Sequence, residues 1–254
     1  MTRTRTAGGP YVREARADQL PDEGWPFTIP AVRALADGDA LDLDHPVTLL
    51  CGDNGSGKST ILEAIADAAG LNAEGGSRNF QFSTRTTEVP LAEHLRLVRH
   101  PGRRPRDGFF LRAESYFNVA SEIERLHDEP DTPPLLPVYG GISPHERSHG
   151  ESFLDLVTHR FGTSGLYLLD EPEAALSATG CLALLARVAE LAEQGSQFII
   201  ATHSPILLAI PRAVIHQLDD SGYSRIDYDD ALPVVTMRAF LADPGRFVHR
   251  LRAD

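Results

Sequence analysis

Lysine is almost absent from this sequence. Of the 24 lysine and arginine residues only Lys58 is a lysine, and it lies inside a glycine-rich segment that runs from Gly52 to Ser59. Lysine carries a compact ammonium on a thin, flexible stem, whereas arginine carries a wide planar fork. The ammonium fits through a tight loop to reach phosphate oxygens, and the fork does not. The single lysine therefore stands where a phosphate-binding loop requires one.

Positive charge, cysteine and long apolar segments are also scarce. The chain has a formal net charge of -12, which argues against broad nonspecific coating of DNA. Its two cysteines, Cys51 and Cys181, lack metal-ligand spacing, and we expect both to be buried thiols. The longest apolar run, from Phe198 to Ile210, is interrupted by polar residues and is too short to span a bilayer. The polar N-terminus lacks the apolar core of a signal peptide, so we expect a cytoplasmic protein.

The remaining composition favours one folded domain. With 42% hydrophobic and 24% charged residues, the sequence suits a single α/β domain over residues 1–254. We expect residues 71–146 to form an inserted helical arm with a helix from Ser115 to Leu126 and a loop from Asp128 to Pro144. Heptad repeats are absent from this region, which excludes a long coiled coil. A hairpin over residues 213–227 and two short helices are expected near the C-terminus.

The segment from Gly52 to Ser59 is a complete G-x-x-x-x-G-K-[ST] phosphate loop. The apolar stretch Pro46 to Cys51 predicts a buried strand before it, and Thr60 to Ile65 predicts the start of a helix after it. Glycines let backbone N–H groups turn toward an anion, and the positive end of the helix faces the phosphates. We expect the Ser59 hydroxyl to bind Mg²⁺. The predicted nucleotide-binding set is Gly52, Asn54, Gly55, Ser56, Gly57, Lys58, Ser59 and Thr60.

Two further predicted strands end in chemically active side chains. The apolar strand Leu166 to Leu169 is followed directly by Asp170 and Glu171, which is the Walker B pattern. Because the carboxyl end of a buried parallel strand opens on the ligand crevice, we expect Asp170 to hold Mg²⁺ through its water shell and Glu171 to polarise the attacking water. The strand Gln197 to Ala201 leads to His203, which we expect close to the γ-phosphate.

A candidate anion site precedes the Walker B strand. The segment Ser148-His149-Gly150-Glu151 is followed by apolar residues at approximately helical spacing. A serine and a glycine at a helix start present a hydroxyl, bare backbone N–H groups and the positive helix end. The alternative is an ordinary helix cap with a glutamate in the first turn.

In this order, the phosphate loop, Ser148 to Glu151, the strand ending in Asp170-Glu171, and His203 resemble the nucleotide-binding core of the ABC-type ATPases. The resemblance covers about residues 46–60 and 147–205. It is closer to the soluble SMC, RecF and OLD-like branch, and to small stand-alone AAA-type ATPases of bacteria, than to transporter subunits. Transporter subunits usually carry Leu-Ser-Gly-Gly-Gln and Ser-Ala-Leu-Asp where this chain has Arg147 to Glu151 and Ala174 to Ser177.

The resemblance implies an α/β fold of the P-loop NTPase type. A mostly parallel core sheet would be flanked by helices, with an N-terminal antiparallel β portion and a small helical insertion, as in an ABC ATPase head. The implied activity is Mg²⁺-dependent hydrolysis of ATP, with Lys58, Glu171 and His203 as the catalytic residues. Glu171 would be the base and His203 the switch residue, while Ser59 and Asp170 would bind the metal.

The same resemblance implies an ATP-dependent head-to-tail homodimer. Ser148, Gly150 and Glu151 would contact the nucleotide bound to the other subunit. Ser177 stands where the family often has aspartate, which is a departure in the segment that links the two sites. The alternatives to a nucleotide-driven switch in DNA transactions or genome defence are the nucleotide-binding subunit of a transporter and a module that holds ATP without hydrolysis. Glu171 weighs against the last of these, because a carboxylate there serves to activate water.

Three assignments stay open. The residue of the family's Q-loop is either Glu114 or Gln81, and the residue that stacks on adenine is Tyr11, Trp25 or Phe27. A basic cluster is either a solvated loop or a surface for nucleic acid or an acidic partner protein. Its members are Arg96, Arg99, Arg103, Arg104 and Arg106.

Overall fold

The computed structural model describes residues 9–38, 40–72, 89–114, 116 and 149–252. Two sheets are built from these residues, a six-stranded sheet in the order β5-β6-β7-β3-β8-β9 and a three-stranded sheet in the order β2-β1-β4. In chain order the strands are β1 (Val12–Ala17), β2 (Leu41–Asp42), β3 (Val47–Gly52), β4 (Leu95–Arg99), β5 (Asp107–Arg112), β6 (Gly165–Asp170), β7 (Gln197–Ala201), β8 (Val214–Asp219) and β9 (Gly222–Ile226). The helices are α1 (Pro30–Asp37), α2 (Lys58–Ala69), α3 (His149–Arg160), α4 (Ala178–Glu193), α5 (Leu232–Ala242) and α6 (Pro244–Leu251).

The larger sheet is mostly parallel and is covered on both faces. Strands β3, β6 and β7 are buried at every residue, as expected for parallel strands packed between helices. One face packs against α3 and α4, and the core on this face includes Phe153, Phe161 and Leu184. The opposite face packs against α1, α2 and the smaller sheet, with Leu35 and Ile61 in that core. The predicted α/β fold with an N-terminal antiparallel portion is confirmed.

A buried glutamine joins the two sheets. Gln197, the first residue of β7, accepts hydrogen bonds from the backbone N–H groups of Tyr11 and Val12 at 2.8 and 2.9 Å. Its side-chain amide donates to the carbonyls of Val12 and Leu43 at 2.8 and 2.7 Å. The Tyr11 hydroxyl donates to the carbonyl of Gly195 at 2.9 Å. The antiparallel sheet is therefore fixed to the amino end of the parallel sheet.

The predicted insertion over residues 71–146 is described only in part. Two strands fall in this range, and each belongs to a sheet: β4 pairs with β1, and β5 pairs with β6 at the edge of the larger sheet. The expected helix from Ser115 to Leu126 and the loop from Asp128 to Pro144 lie outside the described residues, apart from Tyr116. That tyrosine is buried, with its ring centroid 5.5 Å from that of Phe153. The inserted helical arm over residues 71–146 stays a prediction.

The C-terminal part follows the sequence prediction. Strands β8 and β9 form the expected antiparallel hairpin, and α5 and α6 are the two expected short helices. Cys51 and Cys181 are buried free thiols, also as expected. Among the helices in the described part of the chain, none has the length and apolar character needed to cross a membrane.

Candidate active site

The predicted site residues converge because three neighbouring strands are parallel. Strands β6, β7 and β3 lie side by side in that order, so their carboxyl ends meet at one edge of the sheet. The phosphate loop follows β3, Glu171 follows β6, and His203 stands two residues beyond β7. The fold thus brings together groups that are more than one hundred residues apart in sequence.

Glycine is required in the phosphate loop by space as well as by backbone conformation. Gly52 and Gly57 have φ angles of 147° and 99°. A Cβ atom at Gly52 would lie 2.3 Å from the Leu218 carbonyl oxygen, and one at Gly57 would lie 2.9 Å from Ile29 Cγ2. The Ser56 hydroxyl is buried and has no hydrogen-bond partner among the described residues. A buried polar atom of this kind calls for a ligand, and its position inside the loop fits a phosphate group.

Lys58 is the first residue of α2 and is buried. Its ammonium donates hydrogen bonds to the carbonyls of Gly52 and Asp53 at 2.9 and 3.0 Å. Burial lowers the pKa of Lys58, while the nearby carboxylates of Glu171 and Asp170 act to raise it. The loop therefore holds a positive charge within reach of both acidic residues of the Walker B segment.

Ser59 and Asp170 are in direct contact. The Ser59 hydroxyl donates to Asp170 Oδ1 at 2.9 Å. Burial raises the pKa of the Asp170 carboxyl to about 6, although Arg112 and the Ser59 hydroxyl act to lower it. The described residues contain no group of three or more His, Cys, Asp or Glu side chains suited to holding a metal. One hydroxyl and one carboxylate nevertheless fit Mg²⁺, which keeps several waters and binds phosphates together with one or two protein oxygens.

Glu171 and His203 meet beside this pair. Glu171 has a φ angle of 46°, in the left-handed region that residues other than glycine rarely adopt. Its backbone N–H donates to the Ala201 carbonyl at 2.9 Å, which ties the strained residue to the end of β7. Glu171 Oε1 lies 3.4 Å from His203 Nε2, and Glu173 Oε1 accepts a hydrogen bond from the His203 backbone N–H at 2.5 Å. Backbone strain at a polar residue is typical of functional sites.

The candidate anion site is described only from residue 149 onward. Ser148 lies outside the described residues, while Gly150 is in the first turn of α3 and Glu151 is exposed. A Cβ atom at Gly150 would lie 3.1 Å from the Ala175 carbonyl oxygen. Glycine at this position therefore lets α3 pack closely on the turn that follows Glu171. The contacts of Ser148 and Gly150 with a nucleotide of a second subunit stay a prediction.

Ser177 has a structural role within its own subunit. It precedes α4, and its hydroxyl accepts a hydrogen bond from the Gly180 backbone N–H at 3.1 Å. This is the geometry of a helix N-cap, for which serine and aspartate are similarly good. The departure from aspartate at this position is therefore compatible with the same local structure.

Burial separates the three candidates for the adenine-stacking residue. Tyr11 and Phe27 are only 3% and 8% exposed, whereas Trp25 is 68% exposed. Trp25 lies four residues before Ile29, the residue that would contact a Cβ atom at Gly57. An exposed aromatic ring can stack on a base, and a buried one cannot. Trp25 is the exposed one of the three, and its stacking on adenine stays a prediction.

The Q-loop residue and the role of the basic cluster stay open. Glu114 directly follows β5 and is exposed, and Gln81 lies outside the described residues. The members of the basic cluster are all exposed, and Arg96 stands directly opposite the exposed Arg16 across the β1–β4 pair. Three members have partners: Arg96 pairs with Asp18, Arg99 donates to the Ala68 carbonyl, and Arg103 donates to the Gly9 carbonyl.

Three contacts at the site were not anticipated from the sequence. Arg112 ends β5 and forms ion pairs with Glu63 and Asp170, and Glu173 binds the backbone of His203. Glu173 is the second acidic residue after Asp170, which is a weak signal in the sequence. Arg112 and Glu63 carry no signal, since only the pairing of β5 with β6 brings the arginine to Asp170.

Comparisons with known proteins agree with this fold. A family model for an AAA domain matches residues 28–103, and a second AAA domain model, associated with the AbiEii toxin and type IV TA systems, matches residues 139–209. No curated protein gives a significant match to this chain.

Solved structures extend the comparison over most of the chain. An ATP-binding cassette of an ABC transporter is 16% identical with a TM-score of 0.51, covering 91% of this chain and 96% of that chain. A metal-chelate type ABC transporter in an inward-facing conformation is 16% identical with a TM-score of 0.50, covering 91% and 89%. The SMC head domain from Thermotoga maritima is 14% identical with a TM-score of 0.44, covering 85% and 98%.

At these identities the likeness to solved structures shows the fold alone. The chain has the fold of an ATP-binding cassette, and two AAA-type domain models match along it. The AAA-type matches and the cassette fold agree with the resemblance to ABC-type ATPases that four short motifs indicate.

Proposed function

We propose that this protein hydrolyses ATP with Mg²⁺ and works as a nucleotide-driven switch that closes and opens a head-to-tail homodimer. The contact of Ser59 with Asp170 at 2.9 Å carries the proposal, because it joins the phosphate loop to the Walker B strand. Lys58 and Glu171 lie beside this contact, so a phosphate-binding cation and a water-activating base share one edge of the sheet.

The residues divide the chemical work. The Lys58 ammonium and the loop N–H groups bind the β- and γ-phosphates. Ser59 and Asp170 would hold Mg²⁺, which would supply positive charge to the phosphate oxygens. Glu171 accepts a proton from water as the water oxygen bonds to the γ-phosphorus and the bond to the β-phosphate oxygen breaks. His203 lies 3.4 Å from Glu171 and fixes the position of that carboxylate. Trp25 stacks on the base.

Closure of the dimer follows from the second anion site. Gly150 and Glu151 lie in the first turn of α3, and Ser148 precedes that helix in the sequence. In this proposal the three residues bind the nucleotide held by the partner. In this arrangement ATP lies between the two subunits and binds the closed dimer alone. Such a ligand shifts the monomer–dimer equilibrium by mass action.

A role in DNA transactions or genome defence is the best supported use of the switch. The exposed arginines of the basic cluster provide phosphate-binding groups on a chain that is acidic overall. One of the two matching family models is associated with a toxin of type IV TA systems. The second candidate, a transporter subunit, is favoured by the fold likeness to ABC transporter structures. Co-purification with a membrane subunit would support transport, and co-purification with a nuclease or nucleic acid would support the switch.

The chemical step is tested by replacing the base. Glu171→Gln keeps the side-chain shape and removes the proton acceptor, so turnover of ATP should fall about 10²–10⁴-fold while ATP remains bound. Phosphate release and calorimetric titration measure the two quantities. The matched control is Glu193→Gln, an exposed glutamate on α4 that pairs with Arg212. Hydrolysis at the parent rate by the Glu171→Gln protein would show that another group is the base.

A further inference from the structure

Arg112 is surrounded by three carboxylates. Its NH1 nitrogen lies 2.7 Å from Glu63 Oε1, its Nε lies 3.4 Å from Asp170 Oδ2, and its NH2 lies 3.9 Å from Glu114 Oε2. The side chain is 22% exposed, compared with 86% for Glu114, so the contacts with Glu63 and Asp170 are the less screened ones. Each nitrogen of the guanidinium faces a different acid.

The carboxylate of Asp170 is held from two sides. Ser59 donates to Oδ1 at 2.9 Å, and Arg112 Nε lies at an ion-pair distance of 3.4 Å from Oδ2 without a hydrogen bond. Ser59 and Glu63 are four residues apart on α2 and therefore share one face of that helix. The contacts run from Ser59 to Asp170, then to Arg112 and to Glu63, so the series begins and ends on α2.

We propose that Arg112 is a positioning residue for the Mg²⁺ site, because it fixes the carboxylate of Asp170 with Oδ1 toward Ser59. The inference rests on the proposed function and names a residue that the motifs do not include. Outer partners of metal-binding groups orient them, and their loss typically costs 10–100-fold in metal affinity. A lysine would keep the charge but lacks the planar fork that reaches Glu63 and Asp170 together. Arg112 therefore acts on the metal through Asp170, with no contact to the nucleotide required.

The test measures how much Mg²⁺ strengthens the binding of ATP. A Glu171→Gln background keeps ATP intact, and calorimetric titrations in Mg²⁺ and in EDTA give the ratio of the two dissociation constants. Adding Arg112→Ala should lower this ratio about 10–100-fold, with the affinity in EDTA changed by less than about twofold. Adding Arg112→Lys should give an intermediate ratio.

Arg160→Ala is the matched control. Arg160 is 18% exposed and pairs with Asp107 at 2.5 and 2.9 Å, at the opposite end of the same strand β5. Its loss removes a similar ion pair far from Asp170, so the Mg²⁺ effect should stay at the parent value. A merely structural role of Arg112 would lower stability in both proteins and leave both ratios unchanged.

Each remaining outcome decides the question. A parent-like ratio in Arg112→Ala overturns the proposal. If that variant fails to fold, a parent-like ratio in Arg112→Lys does the same, and failure of both variants to fold assigns Arg112 a structural role instead. Absence of ATP binding by the background protein in either buffer contradicts the proposed function itself, which separates the two failures.

Discussion

Two polar clusters lie at the opposite ends of β7 and are built in different ways. At the amino end, Gln197 is buried and both of its side-chain polar atoms hydrogen-bond to backbone groups of the antiparallel sheet. At the carboxyl end, the Ser56 hydroxyl is buried without a hydrogen-bond partner in the described part of the chain, and His203 Nε2 has only its 3.4 Å contact with Glu171. Glu171 is held there in a left-handed conformation. The polar side chain at the amino end is fully hydrogen-bonded within the protein, whereas polar groups at the carboxyl end are still available to bind a ligand.

The difference indicates that the amino-end cluster stabilises the fold and that the carboxyl-end cluster binds ligand. Buried polar groups that are fully paired hold elements together, and they cost stability when a partner is lost. Buried polar groups that are unpaired, strained or shifted in pKa lower the stability of the folded protein when no ligand is bound. Substitutions at the amino end should therefore destabilise the fold, and those at the carboxyl end should affect ligand binding and can even stabilise the protein.

The largest expected loss of stability is at the amino end. Gln197→Met keeps the length of the side chain but leaves the backbone groups of Tyr11, Val12 and Leu43 without partners. Each buried unsatisfied group costs about 1–3 kcal/mol, so the free energy of unfolding should fall by about 3–5 kcal/mol. Urea denaturation measures the change. Gln194→Met, at an exposed position, should change it by less than about 0.5 kcal/mol. A parent-like free energy of unfolding for Gln197→Met would contradict the claim that the hydrogen bonds of Gln197 stabilise the fold.

Lys58 tests the opposite end through binding. Lys58→Ala removes a charge-assisted contact to phosphate and should weaken ATP binding by about 2–5 kcal/mol. Lys58→Arg should also weaken ATP binding, because the planar guanidinium does not fit within the loop. Calorimetric titration with ATP gives both values. Parent-like affinity in either protein would show that this loop does not hold the nucleotide.

The buried Asp170 carboxylate, at the carboxyl end of the sheet, should lower the free energy of unfolding at neutral pH. Burial raises its pKa from the ordinary 3.8 of an aspartate carboxyl to about 6. The folded state thus binds a proton more tightly than the unfolded state, and stability is lost as pH rises between these two values. Asp170→Asn should therefore raise the free energy of unfolding by about 1–2 kcal/mol at pH 7 without nucleotide or Mg²⁺. The gain should shrink toward pH 4, and a destabilised variant at pH 7 would contradict the prediction.

Local sequence was sufficient for much of the fold and site. Three parts of the site are each formed by consecutive residues, so local sequence is enough to predict them. They are the phosphate loop, the Walker B strand and the strand before His203. The strand from Gln197 to Ala201 has the predicted bounds. The hairpin and the two C-terminal helices also follow from local turn and periodicity signals.

Contacts between distant segments could not be predicted. Arg112 reaches Asp170 because β5 pairs with β6 in parallel register, and no local pattern encodes that pairing. Gln197 was assigned to a strand by its apolar neighbours, while its bonds to Val12 and Leu43 depend on where the second sheet docks. The sequence does not distinguish Tyr11, Trp25 and Phe27 as stacking candidates, whereas the structure shows that only Trp25 is exposed. Side-chain roles set by long-range packing therefore had to come from the structure.

The ATP-dependent dimer is the central claim, and one measurement tests it most directly. Light scattering behind a sizing column gives the mass of the Glu171→Gln protein with and without ATP and Mg²⁺. The mass should double when both are added, and Ser148→Arg should abolish the change by placing a bulky side chain between the subunits. Ser224→Arg, at an exposed position on β9, should leave it intact. A protein that stays monomeric at saturating ATP, or that is dimeric without nucleotide and indifferent to Ser148→Arg, would contradict the account.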